Sequence, residues 1–253
     1  MISKETFFLL LYIWIGLALV VFLILLRVTA PYGRHTTNTW GPTLANRWAW
    51  FLMEIPVLLF FSWFFFTGKA DKTLPEYVIY GLFMLHYIRR VFIYPFQLKD
   101  NGKRMPWVIV IMAFLFNFIN GFFNGYWFGN ISSPYPDTWF FKWQFILGFV
   151  LFFGGMYLNI YSDQILLNLR SNGKKGYYIP YGGLFEYVSS PNLLGEIIEW
   201  VGWAFMAWSL PSFAFALWTM ANLIPRSLDH QRWYKKMFKN YPADRKAVFP
   251  FLL

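Results

Sequence analysis

The sequence contains no cysteine and only three histidines among 253 residues. The first absence excludes disulfides, thiolate metal sites and cysteine nucleophiles. His35, His86 and His230 form no H-E-x-x-H or other ligand spacing, so no bound metal is expected. Charge is scarce as well: Asp, Glu, Lys and Arg make up 13% of the chain, about half the share of a soluble domain. Neither G-x-G-x-x-G nor G-x-x-x-x-G-K-S/T occurs, which excludes nucleotide binding of the Rossmann or P-loop kind. A Ser-His-Asp triad has no G-x-S-x-G run to anchor it.

Apolar residues take the remaining space, with 58% hydrophobic and 24% aromatic. Several apolar runs reach the roughly 20 residues that a helix needs to cross a bilayer. The fold class expected is therefore an all-α integral membrane protein. Six spans read directly at about 7–26, 48–67, 75–96, 107–128, 139–161 and 204–224. A further helix near 192–209 ends at the Ser209-Leu210-Pro211-Ser212 turn, which makes seven transmembrane helices. The first run, Phe7–Leu26, is long for a signal-peptide core and has no small-residue cleavage site before Arg27. It is expected to be a retained span. With the N-terminus outside, segments 27–47, 88–106, 162–190 and 225–253 fall inside and hold 18 of the 22 Lys and Arg residues. That bias predicts an outer N-terminus and a cytosolic C-terminus. It also accounts for the net charge of +10 without a nucleic-acid partner. No internal repeat or composition break divides the chain, so one membrane-embedded domain over 1–253 is expected. Gly121, Gly125 and Gly129, four apart, predict a close helix–helix contact. Asn117, Asn120 and Asn124 on the same span need polar partners and point to a cavity nearby.

Polar side chains inside spans are costly and mark partners, cavities or substrate paths. Five groups stand out. Glu54, in WAWFLMEIPVLLFFSWFFF, lies two turns into the second span. It pairs with an arginine such as Arg90 or, kept neutral by its apolar setting, donates a hydrogen bond that polarises a carbonyl. In HYIRR, Tyr87, Arg90 and the following Tyr94 share a helix face, while Arg89 is assigned to snorkelling toward the interface. In NIYSDQILLNLR, Asn159, Asp163 and Arg170 share another face. PNLLGEIIEWVGWAF brings Asn192, Glu196 and Glu199 onto one face, with Gly195 allowing close approach. Asn192 alone reads equally as an N-cap, and Glu199 reads as half of a supporting ion pair. In PRSLDHQRWYKKMFKNYP, Arg226, His230 and Tyr234 repeat at i, i+4 and i+8, while the surrounding lysines suit an anionic lipid surface. Collected on the inner side, these groups offer amides, carboxylates, phenols and arginines around one cavity; arginines suit a phosphate, and Asn, Asp and Glu suit a ribose or carboxamide.

IPYGGLFEYVSSPNLLGEIIEWVGWAFMAWSLPS with the tail RWYKKMFKNYPADRKAVFPF resembles the steroid 5α-reductase family. NIYSDQILLNLR, HYIRR and FLMEIP extend the likeness over nearly the whole chain. A looser form of the C-terminal block occurs in polyprenol reductases, enoyl-CoA reductases of fatty-acid elongation and some isoprenylcysteine methyltransferases. The resemblance implies a seven-helix membrane reductase that uses NADPH to reduce the 4,5 double bond of a 3-oxo-Δ4 steroid to the 5α-dihydro product. It implies that Glu54 and Tyr87 contact the 3-keto oxygen. By the same likeness the cofactor pocket falls on Trp50, Arg90, Tyr94, Asn159, Asp163, Arg170, Tyr177, Asn192, Glu196, Arg226, His230 and Tyr234, with about 105–253 forming most of it. The chain departs from the family pattern at Met53, where animal relatives carry glutamine, at Tyr161, where a histidine is usual, and at Met112, where a basic residue occurs. These bear on substrate fit more than on chemistry. The alternatives are a related polyprenol or enoyl-CoA reductase, a SAM-dependent lipid methyltransferase and a non-catalytic sterol-binding protein. Neither methyl transfer nor passive binding needs a carbonyl-polarising pair, so Glu54 with Tyr87 favours the reductases. The molecule expected is a monomer in a bacterial inner membrane or the endoplasmic reticulum, in contact with membrane lipid and a steroid-like substrate.

Overall fold

The computed structural model describes residues 2–37, 39–98, 102–169 and 176–253. Among these, seven main helices follow one another: α1 (Lys4–Leu25), α2 (Asn46–Thr67), α3 (Leu74–Ile88), α4 (Trp107–Tyr126), α5 (Trp143–Asn168), α6 (Pro191–Ala207) and α7 (Leu210–Met237). Four are long and apolar enough to cross a membrane: α1, α2, α4 with its extension to Ile131, and α5. At 17 residues, α6 falls short of the roughly 20 that a lone crossing needs, and the helical run that continues α3 through the turns Arg89–Ile93 and Tyr94–Gln97 carries Glu76, Arg89 and Arg90. α7 is long, but its second half carries the charges of Arg226–Lys236.

Local chemistry sets the boundaries. Thr73 and Glu76 form a reciprocal cap at the start of α3, and Glu76 Oε1 also accepts from the Tyr135 backbone N–H at 2.7 Å. The expected spans at 192–209 and 204–224 overlap, and Trp208 resolves the overlap. Its left-handed backbone (φ 39°, ψ 45°) ends α6 at Ala207, and Ser209 with Ser212 caps α7. α5 likewise starts at Trp143 rather than near 139. Residues 137–141 form a separate 3-10 turn after Pro134 and Pro136, which disfavour helix at the residues before them.

Aromatic rings fill the middle of the bundle. Val57, Phe61, Phe65, Phe83, Tyr87, Trp200, Trp203 and Phe215 form one buried cluster from α2, α3, α6 and α7. Glycines bring two helix pairs into backbone contact. Gly121, Gly125 and Gly129 lie against residues 57–64 of α2, as their spacing predicts; a Cβ on Gly125 would sit 2.7 Å from Phe61 O. α5 and α6 pack the same way through Gly148, Gly155, Gly195 and Gly202.

At one end of the bundle the basic connecting segments gather. A short antiparallel pair, β1 (Thr43–Ala45) and β2 (Arg104–Pro106), ties the α1–α2 connection to the start of α4. The C-terminal tail crosses beneath α6. Lys246 N–H donates to Tyr187 O at 2.8 Å, Ser189 N–H donates to Lys246 O at 2.8 Å, and Arg245 Nη1 donates to Pro180 O at 3.0 Å. These bonds hold residues 187–190, and with them the first turn of α6.

The α5–α6 contact leaves no room for a side chain. A Cβ on Gly202 would lie 2.6 Å from Gly148 O. Gly202→Leu is expected to cost about 3 kcal/mol, the upper end of overpacking, read as a lowered thermal midpoint in detergent. Gly154→Leu, with nothing within 4 Å of its Cβ, should change stability by about 0.5 kcal/mol or less.

Candidate active site

Helix α3 ends in a π-turn, Arg89–Ile93, before the short helical turn Tyr94–Gln97. Such turns widen the helix and are enriched at functional sites. This one turns both Arg89 and Arg90 inward. Arg90 Nε lies 3.5 Å from Glu54 Oε1, and its Nη2 lies 3.8 Å from Glu196 Oε2. The guanidinium is 4.7 Å from the Trp50 ring centroid and 5.0 Å from that of Tyr94. The Glu54–Arg90 pairing considered from the sequence is thus present. Glu54 also accepts from Asn117 Nδ2 of α4 at 3.2 Å, and that amide donates to Met53 O at 2.7 Å.

A second network joins α5 and α6. Asn159 Nδ2 donates to Asn192 O at 3.0 Å, and Asn192 Nδ2 donates to Asp163 Oδ1 at 3.1 Å. Asn192 is therefore not the N-cap of α6. Ser190 occupies that position, and Asn192 lies inside the helix with its amide spent on Asp163. Arg89 Nη1 donates to Asn159 Oδ1 at 3.3 Å. That contact overturns the snorkelling assigned to Arg89. Glu199, wholly buried, pairs with His86 Nδ1 at 2.8 Å and so ties α6 to α3, in the supporting role expected of it.

The third group lies at the basic end. Arg226 donates to Ala30 O at 2.9 Å and to Tyr32 O at 2.7 Å, and its guanidinium stacks 3.8 Å from the Tyr32 ring centroid. The α1–α2 connection is thereby clamped to α7. Arg34 lies 4.6 Å from the Tyr234 centroid and 5.3 Å from that of Trp233. His35 stacks on His230 with centroids 5.4 Å apart and planes 8° apart, and Ser190 Oγ is 3.3 Å from His230 Nδ1. Lys103 donates to the Tyr177 hydroxyl at 2.7 Å.

One cavity runs through the three groups. Its wall includes Trp50, Arg90, Tyr94, Asp163, Tyr177, Asn192, Glu196, Arg226, His230 and Tyr234. Asn159 stands behind that wall through its bond to Asn192, and Arg170 lies outside the described residues. Glu54 reaches the wall through Arg90. Tyr87 is buried against Phe83 and Trp200, with centroids 4.7 and 5.5 Å away, and no described residue hydrogen-bonds its hydroxyl. The wall also carries Tyr32, Arg34, Asn46 and Lys103, which sequence reasoning left among the topology-setting loop residues. For Tyr32 and Arg34 the available signal was the tyrosine and arginine of PYGRH, next to the first span; Asn46 and Lys103 carried none.

Four helices long and apolar enough to cross a membrane, with a cavity lined by arginines, carboxylates and amides, place the chain in the class of membrane proteins with a polar interior site. The profile of the 3-oxo-5-alpha-steroid 4-dehydrogenase family matches residues 103–253. The chain is 41% identical over 240 residues to steroid 5-alpha-reductase DET2 of Gossypium hirsutum, covering 93% of each. It is 42% identical over 226 residues to 3-oxo-5-alpha-steroid 4-dehydrogenase 2 of Homo sapiens, covering 87% of each. With 3-oxo-5-alpha-steroid 4-dehydrogenase 1 of Rattus norvegicus it shares 38% over 228 residues, which covers 89% of this chain and 87% of the relative. The chain belongs to the 3-oxo-5-alpha-steroid 4-dehydrogenase family, and it is an oxidoreductase.

His35 supplies a pH prediction. Burial, reinforced by Arg226 and Arg34, pushes its pKa down to about 4, whereas an unfolded histidine titrates near 6.5. Between those values the unfolded chain binds a proton that the folded one does not. Stability present at neutral pH is therefore lost as pH falls through about 6.5 to 4. Without ligand, the thermal midpoint should drop over that window, and His35→Phe, which keeps a ring against His230, should flatten the drop.

Proposed function

We propose that this enzyme reduces the 4,5 double bond of 3-oxo-Δ4 steroids with NADPH. In this reading it crosses the membrane seven times as one domain, with the N-terminus outside and the basic end in the cytosol. The observation that carries the reading is the division of the pocket. Arg34, Arg226 and Lys103 form one group in its lining, around Tyr32 and Tyr177, Asn192, Asp163 and Glu196 form a second, and Glu54 adjoins the second through Arg90. A dinucleotide phosphate has the same two-part chemistry.

The donor set fits NADPH. Arg34 Nη1, Asp163 Oδ2 and Glu196 Oε2 are buried and make no hydrogen bond in this structure, and all three residues belong to the cavity wall. Unmet buried polar groups of this kind call for a polar ligand. Arg34, Arg226 and Lys103, backed by His230, Tyr234 and Tyr177, would hold the phosphates, and Asn192, Asp163 and Glu196 would hold ribose and carboxamide. When bound, NADPH supplies the hydride.

The protein's part follows from enone electronics. Addition at C5 builds negative charge on the 3-keto oxygen. Tyr87, whose hydroxyl has no described partner, and Glu54, carrying its proton, donate to that oxygen, and a proton delivered to C4 from solvent or through this pair completes the 5α-dihydro ketone. Donors aimed at developing charge in a dry site lower the barrier. Arg90 and Asn117 hold the Glu54 carboxyl in place, and the aromatic cluster around Tyr87 keeps water from the reacting atoms.

Purified protein given NADPH and a 3-oxo-Δ4 steroid should consume cofactor and yield the 5α-dihydro product. Turnover of an enoyl thioester with none of any steroid enone would overturn the substrate assignment. Glu54→Gln and Tyr87→Phe should each lower kcat about 10²-fold or more while NADPH affinity stays within about twofold. Lost cofactor binding in either variant would mean that the two residues belong to the cofactor pocket.

A further inference from the structure

We propose that Arg89 is a positioning residue of the cofactor site, acting through Asn159 and Asp163. This rests on the NADPH reading above. Two adjacent arginines on an α-helix point about 100° apart, so at most one would be expected to face a narrow interior. The π-turn that begins at Arg89 removes this limit, and the two cations share the buried acids, with Asp163 in the electrostatic reach of both. Arg90 serves Glu54 and Glu196. Arg89 serves the other network: its Nη1 is 3.3 Å from Asn159 Oδ1, and its Nη2 is 3.8 Å from Asp163 Oδ2.

The Asp163 contact is the informative one. Asp163 is 3% exposed, and Oδ1 is satisfied by Asn192 Nδ2, whereas Oδ2 has no hydrogen bond. A buried carboxylate with one amide donor needs a cation beside it. Arg89, which is not among the residues of the cavity wall, fills that need by facing Oδ2 without hydrogen-bonding it, and so holds the Asp163 carboxylate in its place in the wall. By accepting from Arg89 on Oδ1, Asn159 keeps its Nδ2 for Asn192 O, which fixes the first turn of α6. Arg89 thus aims two helices without lining the cavity itself.

The test is NADPH binding, measured by quenching of tryptophan fluorescence and by the cofactor-induced rise of the thermal midpoint. Arg89→Leu should weaken NADPH about 10-fold or more, the cost of leaving a buried charge unmatched. At saturating NADPH its kcat should remain within about threefold of the unsubstituted enzyme. Arg89→Lys, which restores charge without the fork, should recover part of the affinity. Arg89→Leu with Asp163→Asn should bind better than the two separate losses multiply to, because the unmatched carboxylate is gone. An unchanged dissociation constant in Arg89→Leu, beside normal binding by the unsubstituted protein, overturns the role of Arg89 alone. Strictly multiplicative losses in the double variant do the same. Failure of the unsubstituted protein to bind NADPH overturns the cofactor reading along with it.

Discussion

Matching each buried carboxylate to a cation or donor is the constraint on which this molecule depends. An unmatched charge among apolar helices costs several kcal/mol, and removing one partner of a buried pair costs about 3–5 kcal/mol. Glu54, Asp163 and Glu199 are buried and Glu196 is largely so, on three different helices. Their counterparts Arg90, Arg89 and His86 come from the last turns of α3 and the π-turn that follows. One short stretch of chain therefore meets acids from α2, α5 and α6 at once. Were HYIRR to continue as regular α-helix, the two arginines would diverge, and one network would lose its cation.

Packing serves the same end. Glycines let α5 and α6 meet backbone to backbone, which brings Asn159 and Asp163 within bonding distance of Asn192. On the far side of the core, Gly121, Gly125 and Gly129 let α4 approach α2 and bring Asn117 to Glu54. Trp203 Nε1 donates to Ile79 O at 2.9 Å and, with the His86–Glu199 pair, fixes α3 to α6. The rigid parts surround the place where Glu54 and Tyr87 lie. The basic end is held by the β1–β2 pair, by backbone bonds between connecting segments and the tail, and by the Arg226 and Arg245 side chains.

Much of the helical architecture is legible from composition and apolar run length, because a span needs only about 20 apolar residues in a row. The small-residue spacing in α4 likewise announces a contact. Which helix it meets is not written there. Boundaries are harder: a left-handed Trp208 and the extended segment around Pro134 and Pro136 moved two helix ends by several residues. For the site, i, i+4 spacing in Asn159–Asp163 and in Asn192–Glu196 marks faces that the structure joins. The loop residues Arg34 and Lys103 were read as topology because a loop arginine looks the same whether it faces lipid headgroups or a cavity.

By itself the sequence determines that the chain is helical and apolar, that its charge lies between the spans, and that a few acids and amides are placed where lipid would reject them unpaired. Those properties follow from local composition and periodicity. The tertiary structure alone decides the partners. Glu54 lies 36 positions from Arg90, Glu199 lies 113 from His86, and Arg226 lies 194 from Tyr32. A pairing across such distances leaves no periodic trace, since only the packed bundle brings these positions together. The π-turn after α3 belongs to the same category: HYIRR reads as one more helical turn until the acids on three other helices pull both arginines inward.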